Sequence, residues 1–142
     1  MDYEIRRQAD ELDSTDYVEI GPGRYNGQHW QKGFIFIWEG AFGMAEGIVA
    51  RHLPAYDHFG MNEMHRDVGT AVIAEWRDVA ARLPVLNPSA AHAALNLDAT
   101  YSTRLDAQVL SHRTEISTML CQLSDECERF YSSSEWVCIL GL

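Results

Sequence analysis

Residues 34–38 constrain the fold more than any other part of the sequence, because consecutive large apolar side chains (Phe-Ile-Phe-Ile-Trp) need cover on two sides. Side chains of a strand alternate between its faces, so a continuous apolar run is typical of a strand buried within a sheet. Residues 17–20 alternate apolar and polar side chains and predict a partner strand. Asn26-Gly27, between the two, has the composition of a type I′ turn. We therefore predict a hairpin whose second strand is residues 28–38.

Apolar residues at helical spacing follow this strand and predict helices for most of the remaining chain. Residues 44–53 form a short helix that Pro54 ends, since the residue before a proline avoids helical dihedral angles. Residues 64–83 form a longer helix, residues 89–97 a short alanine-rich one, and residues 105–130 the longest. The apolar stripe of the helix over residues 64–83 consists of Met64, Val68, Val72, Trp76, Val79 and Leu83. The stripe of the longest helix consists of Leu105, Val109, His112, Ile116, Met119, Leu120, Leu123, Cys127 and Phe130.

The sequence closes on an apolar segment, residues 136–140, which predicts a final strand that inserts into the sheet. Strands thus come first, helices second and one strand last. This order predicts a single α+β domain over residues 1–142, with a small, mainly antiparallel sheet packed by three to four helices. Residues 1–16 are polar and acidic, and we interpret them as a mobile arm or a short irregular start.

The chain is strongly acidic, with 21 aspartates and glutamates, 11 lysines and arginines, and a formal net charge of -10 at pH 7. Nucleic-acid affinity depends on basic residues that displace counterions from phosphates, so this charge argues against nucleic-acid binding. The same charge attracts a basic protein partner and accelerates its encounter. The alternative is that acidity serves only to keep the protein soluble.

Residues 1–20 contain no apolar stretch of the length of a signal-peptide core, and no run approaches the roughly 20 apolar residues that span a bilayer. We therefore expect a cytoplasmic protein with no membrane partner. Reduced, buried cysteines are expected in that compartment. Cys121 and Cys127 would lie roughly 9 Å apart along one continuous helix, too far for a disulfide, whereas Cys138 could meet either only through the fold.

Motifs for catalysis, cofactor binding and metal binding are absent or weak. Residues 21–27 are glycine-rich, but a turn and a strand follow them instead of the helix that a phosphate-binding loop opens. His52, His58 and His65 lie close in sequence, yet no pair has the helical spacing of two metal ligands. The sequence also lacks a Gly-x-Ser-x-Gly or His-Glu-x-x-His motif. The sequence predicts no catalytic, cofactor or metal site. A catalytic pair of carboxylates that only the fold brings together remains an open alternative.

Two predicted loops combine aromatic and histidine side chains. The first loop surrounds the predicted turn and contains Tyr25, His29 and Trp30. The second follows the short helix and contains Tyr56, His58 and Phe59. Aromatic residues often form cross-strand pairs, but they are also the residues that anchor protein interfaces. Both interpretations remain open for each cluster.

The chain resembles the immunity proteins of bacterial polymorphic-toxin systems in its size, its acidity, the strand of residues 33–38 ahead of helices, and the closing segment Trp136-Val-Cys-Ile-Leu-Gly-Leu142. These systems use type VI secretion, contact-dependent inhibition or Rhs-type delivery. The resemblance implies a non-catalytic cytosolic module that neutralises a cognate toxin acting in the cytosol, of nuclease or NAD-consuming type, by occluding its active site. A nuclease has a basic groove, which suits a partner of this charge.

Occlusion needs carboxylates that pair with the bases of the toxin and aromatic residues that anchor the interface. The residues that we predict for this role are Asp10, Glu11, Asp13, Asp16, Tyr25, Trp30, Tyr56, Asp57 and Phe59. Three alternatives stay open. They are a chaperone or adaptor of a secreted effector, a small enzyme that uses His58 or His65 with a metal or a nearby carboxylate, and a regulator whose carboxylates imitate DNA phosphates.

Overall fold

The computed structural model describes residues 2–99, 109 and 111–141 of the chain. Within these ranges, five antiparallel strands form one sheet in the order β1-β3-β2-β5-β4. The strands are β1 (Ile5–Arg6), β2 (Tyr17–Pro22), β3 (Ile35–Trp38), β4 (Met61–His65) and β5 (Trp136–Leu140). Together with the helices they make an α+β fold, which confirms the predicted class.

The helices of the described ranges are α1 (Glu39–Phe42), α2 (Glu46–His52), α3 (Arg66–Arg82), α4 (Pro88–Leu95) and α5 (Arg113–Tyr131). The long helices α3 and α5 pack against each other and against one face of the sheet. Trp76 is fully buried in this core, and its indole N–H donates to the Ala45 carbonyl oxygen at 3.0 Å. A buried indole needs such an acceptor, because an unpaired polar group in the core is costly.

Alternation along the strands gives the sheet two different faces. The side chains that face the helices include Val18, Ile20, Ile35, Ile37, Val137 and Ile139. On the opposite face a second buried cluster consists of Tyr17, Phe34, Phe36, Cys138 and Leu140. We call this opposite side the loop face, because Leu12 and residues of the 23–34 loop pack on it. The prediction that the apolar strand is buried on both sides is confirmed, but a loop rather than a helix covers the second side.

The predicted turn at Asn26-Gly27 is wrong. β2 and β3 do pair antiparallel, with Ile20 opposite Ile35, so residues 23–34 form one long loop between them. A type I′ turn needs positive φ at both central residues, and only Gly27 has it, at 87°. The Asn26 side chain instead accepts a hydrogen bond from the Gln28 N–H at 3.1 Å, which stabilises a local turn within the loop.

Strand β4 was not predicted, because its sequence was interpreted as a loop and the start of a helix. Met64 lies in β4, and the helix begins afterwards, where the His65 side chain accepts a hydrogen bond from the Asp67 N–H. The longest helix is observed as α5. Leu105, at the start of its predicted stripe, lies outside the described residues.

The closing strand β5 lies between β2 and β4 and pairs with both, which confirms that it inserts into the sheet. Residues 1–16, interpreted as a mobile arm or an irregular start, contribute β1, which pairs with β3. Tyr3 is buried, and Arg7 forms an ion pair with Glu126 on α5. Part of this acidic segment is therefore held against the body of the fold.

All three cysteines are free thiols. Cys127 and Cys138 are buried as expected, but Cys121 is exposed on α5, because it lies on the side of the helix away from the core. None of the helices in the described ranges combines the length and the apolar character needed to cross a membrane.

Candidate functional site

Two glutamates of the loop face hold the 23–34 loop in place. Glu19 on β2 and Glu63 on β4 share this face with the buried apolar cluster, because paired residues of neighbouring antiparallel strands point the same way. Glu19 is opposite Phe36 and Leu140, and Glu63 is opposite Cys138. Carboxylates beside buried apolar side chains need hydrogen-bond donors, and the loop supplies them.

Glu19 is 2% exposed and binds the second half of the loop. One oxygen accepts the backbone N–H of Trp30 at 2.6 Å, and the other lies 2.9 Å from Nδ1 of His29. The Tyr25 hydroxyl lies 3.3 Å from the other ring nitrogen of His29. A chain of polar contacts therefore connects β2 to Tyr25 and Trp30 of the loop.

Glu63 binds the first half of the loop. It accepts two hydrogen bonds from the Arg24 guanidinium, at 3.1 and 3.2 Å, and one from the Tyr25 N–H at 3.0 Å. The hydrogen bonds from Arg24 lower the pKa of the Glu63 carboxyl below its ordinary value. The same guanidinium lies 4.8 Å from the centre of the Trp136 ring, so a cation–π contact adds to the attachment.

Trp30 has an uncommon backbone for a large side chain, with φ at 59° in the left-handed region. This conformation persists because its N–H binds Glu19 and its ring stacks on Phe36, with ring centroids 5.8 Å apart. Even so, Trp30 remains 41% exposed. The fold thus holds a large aromatic side chain in a fixed, solvent-facing position.

Two further exposed apolar residues lie next to Leu140 and Gly141, and Gly141 lines a cavity together with Trp30. Met61, 46% exposed, is opposite Leu140, which in turn is opposite Glu19, so Met61 belongs to the loop face. Phe59, 47% exposed, lies beside Gly141, whose N–H donates to the Gly60 carbonyl oxygen. The fourth large exposed apolar residue of the described ranges, Val85, lies apart from them, between α3 and α4.

Carboxylates of the N-terminal segment come close to Trp30. Asp16 and Trp30 line a cavity of about 290 Å³, and Asp10 and Trp30 line a second cavity of about 540 Å³. Both aspartates are exposed, and neither forms an ion pair with a described residue. We call the set Asp10, Asp16, Trp30, Phe59 and Met61 the docking surface. Met61 had no predicted role, because its strand was not predicted.

The other predicted interface residues are placed differently. Glu11, Asp13 and Asp57 are exposed, and Asp13 also accepts a hydrogen bond from the Tyr17 hydroxyl at 2.8 Å. Tyr25 supports the loop from within. Tyr56 packs against the main core, and its hydroxyl donates to Glu46 at 2.9 Å, so it is not presented to a partner.

A second, partly buried polar cluster surrounds His58. Its Nδ1 lies 2.6 Å from Glu46, which is 1% exposed, and its Nε2 lies 2.5 Å from Glu39. Burial disfavours a charged ring, but the hydrogen bonds to Glu46 and Glu39 outweigh it and raise the pKa of His58. The sequence offered one signal for this cluster, since Glu39 and Glu46 interrupt its most apolar segment.

Within the described residues, no group of histidine, cysteine, aspartate and glutamate side chains is arranged to hold a metal ion. The chain matches no protein-family model, no curated protein and no solved structure. Function is therefore inferred from the geometry of the docking surface and from the chemistry of its residues.

Proposed function

We propose that this chain is a non-catalytic protein-binding module of the cytoplasm, an immunity protein that neutralises a cognate cytosol-acting toxin by occluding its active site. One observation carries the proposal. Trp30 and Met61 are exposed on the loop face, Phe59 lies beside Gly141, which lines a cavity with Trp30, and carboxylates without an ion pair lie beside Trp30.

Exposed apolar side chains cost little singly, but grouped within a charged rim they are typical of interfaces. Tryptophan is among the residues most often found at the energetic centre of an interface. Trp30 fits this role because the loop holds it in one position before a partner arrives, so less conformational entropy is lost on binding.

Charge favours a basic partner. A net charge of -10 steers a basic protein toward the chain, and the unpaired aspartates of the docking surface provide local complementarity. Among toxins that act in the cytosol, a nuclease has the basic substrate groove that such a surface would cover. Association should then slow as salt concentration rises, because screening weakens steering.

The experiment is toxicity rescue with the product of the adjacent gene. Expressed alone, that product should arrest growth, and co-expression of this chain should restore it. The double variant Trp30→Ala, Phe59→Ala should lose rescue and co-purification, whereas Val85→Ala, at the apolar site away from the docking surface, should keep both. The proposal fails if the adjacent product is neither toxic nor bound by this chain.

The enzyme alternative has one observation in its favour, the position of His58 between Glu46 and Glu39. General acid–base chemistry needs a ring nitrogen within hydrogen-bond reach of the substrate. Both ring nitrogens of His58 bind carboxylates, so a substrate would have to displace one of them. This geometry supports a structural role for His58.

A chaperone could use the same docking surface, and it would bind the adjacent product without restoring growth.

A further inference from the structure

We infer that the cavity between Trp30 and Asp16 receives an arginine side chain of the protein partner. This inference rests on the proposed function and specifies how the docking surface would recognise its partner. The cavity measures about 290 Å³, and its walls include Trp30, Asp16, Glu19, Tyr17 and His29.

Its charge suits a cation. Asp16 is exposed at the cavity, and Glu19 lies buried at its base, where it binds His29. The lining contains no lysine or arginine. The neighbouring cavity on Trp30 differs, since Arg7 and Lys32 line it together with Asp10. A cationic side chain is therefore attracted to the first cavity and opposed at the second.

The aromatic wall adds to this preference. One side of the Trp30 indole rests on Phe36, and 41% of the residue remains exposed. Tryptophan is the strongest aromatic partner for a cation. This protein already pairs arginine with aromatic rings, at Arg24 on Trp136 and at Arg129 on Phe130, each 4.8 Å from the ring centre.

Arginine fits better than lysine for a geometric reason. Its planar guanidinium can lie flat on the indole while its edge donates paired hydrogen bonds to a carboxylate such as Asp16. A lysine ammonium is a compact, strongly hydrated charge that cannot do both. The fixed backbone of Trp30, bonded to Glu19 at 2.6 Å, keeps the aromatic wall in place for such a contact.

The probe is a blocked arginine, N-acetyl-arginine N-methylamide, titrated into the full chain while the Trp30 indole N–H is followed by NMR. Blocked lysine and blocked citrulline, the neutral analogue of arginine, are the comparison ligands. Arginine should shift the Trp30 signal and bind at least about fivefold more tightly than citrulline, as expected for a charged contact. Equal shifts with citrulline, or shifts confined to Trp136, would overturn the inference.

Asp16→Asn should weaken arginine binding, and Asp67→Asn is its matched control, because it removes the same charge from an exposed position on α3. An unchanged backbone spectrum shows that each variant folds. If Asp16→Asn binds arginine as well as the parent does, the inference is wrong. If the chain does not bind blocked arginine but still rescues growth, the inference about the cavity is wrong and the proposed function stands. A chain that binds it but protects against no toxin supports the cavity and refutes the proposed function.

Discussion

His58 Nδ1 lies 2.6 Å from a carboxylate oxygen of Glu46, a residue that is 1% exposed on α2. A buried carboxylate is stable only if charge and hydrogen bonds compensate its lost hydration. His58 provides both, and through Nε2 it also reaches Glu39 on α1. His58 thus attaches the segment between α2 and β4, which contains Phe59 and leads into Met61 of the docking surface, to the two helices.

The first prediction concerns the pH dependence of this attachment. The pKa of His58 is raised in the folded state, so its contribution to stability is complete below the unfolded value of about 6.5 and is lost as pH rises through the folded-state pKa. His58→Gln should lower the free energy of unfolding by about 3 kcal/mol near pH 6, since it leaves Glu46 without its cation. The loss should be smaller near pH 9. Urea unfolding at both pH values measures it.

The control for this prediction is His92→Gln, because the carboxylate near His92, Asp98, is exposed rather than buried. Its effect should be below about 1 kcal/mol, as for other surface pairs. A destabilisation by His58→Gln that does not change between the two pH values would contradict a charged His58.

Sequence patterns predicted the elements that are apolar over their whole length. β3 and β5 were predicted because each is a run of large apolar residues, and α4 because its sequence is rich in alanine. β4 escaped prediction because Asn62 points into the core, where its side chain binds the Asp57 backbone and the Ile139 carbonyl oxygen. Those partners are known only once β4 and β5 are paired.

The relative positions of the candidate interface residues could not be predicted from the sequence either. Trp30 and Asp16 were named from residue type alone, but nothing local places them at one cavity. Trp30 and Asp16 lie at one cavity because Glu19 of β2 binds the Trp30 backbone N–H and so holds this part of the loop on the loop face. The Asn26-Gly27 signal favoured a tight hairpin, and tertiary bonds from Glu19 and Glu63 favoured a long loop instead.

A second prediction contrasts two adjacent residues of α3. Trp76 is fully buried, so Trp76→Ala should cost about 3 to 5 kcal/mol through the lost side chain and the resulting cavity. Arg77 bridges Asp125 and Glu128 of α5 at 3.0 and 2.8 Å, but both carboxylates are mostly exposed. Arg77→Ala should cost below about 1 kcal/mol, because water screens such pairs.

Chemical denaturation at low and high salt tests this contrast. The small effect of Arg77→Ala should shrink further at high salt, whereas that of Trp76→Ala should not. An Arg77→Ala variant as unstable as Trp76→Ala would show that the bridge between α3 and α5 stabilises the fold far more than its exposure suggests.

A third prediction concerns the attachment of the 23–34 loop. Glu19→Ala removes the acceptor of the Trp30 N–H and the partner of His29, so the second half of the loop should open more often. Amide hydrogen exchange over residues 28–33 should accelerate by about tenfold or more, which corresponds to the loss of about one strong hydrogen bond. Glu63→Ala is the matched control, because it should instead accelerate exchange at Arg24 and Tyr25. Equal protection in the Glu19→Ala variant and the parent chain would show that the loop is held by other contacts.

The last prediction uses the three thiols as probes of the core. Alkylation requires an accessible thiolate, and burial raises the pKa of Cys127 to about 12 and that of Cys138 to about 11. Cys121 is exposed on α5. Iodoacetamide at about pH 8 should therefore modify only Cys121 in the native protein, and all three cysteines in denaturant. Mass spectrometry of peptides gives the position of each adduct, and Cys121→Ser should leave the native protein unmodified. Native modification of Cys138 would mean that β5 leaves the centre of the sheet, which its pairing with both β2 and β4 opposes.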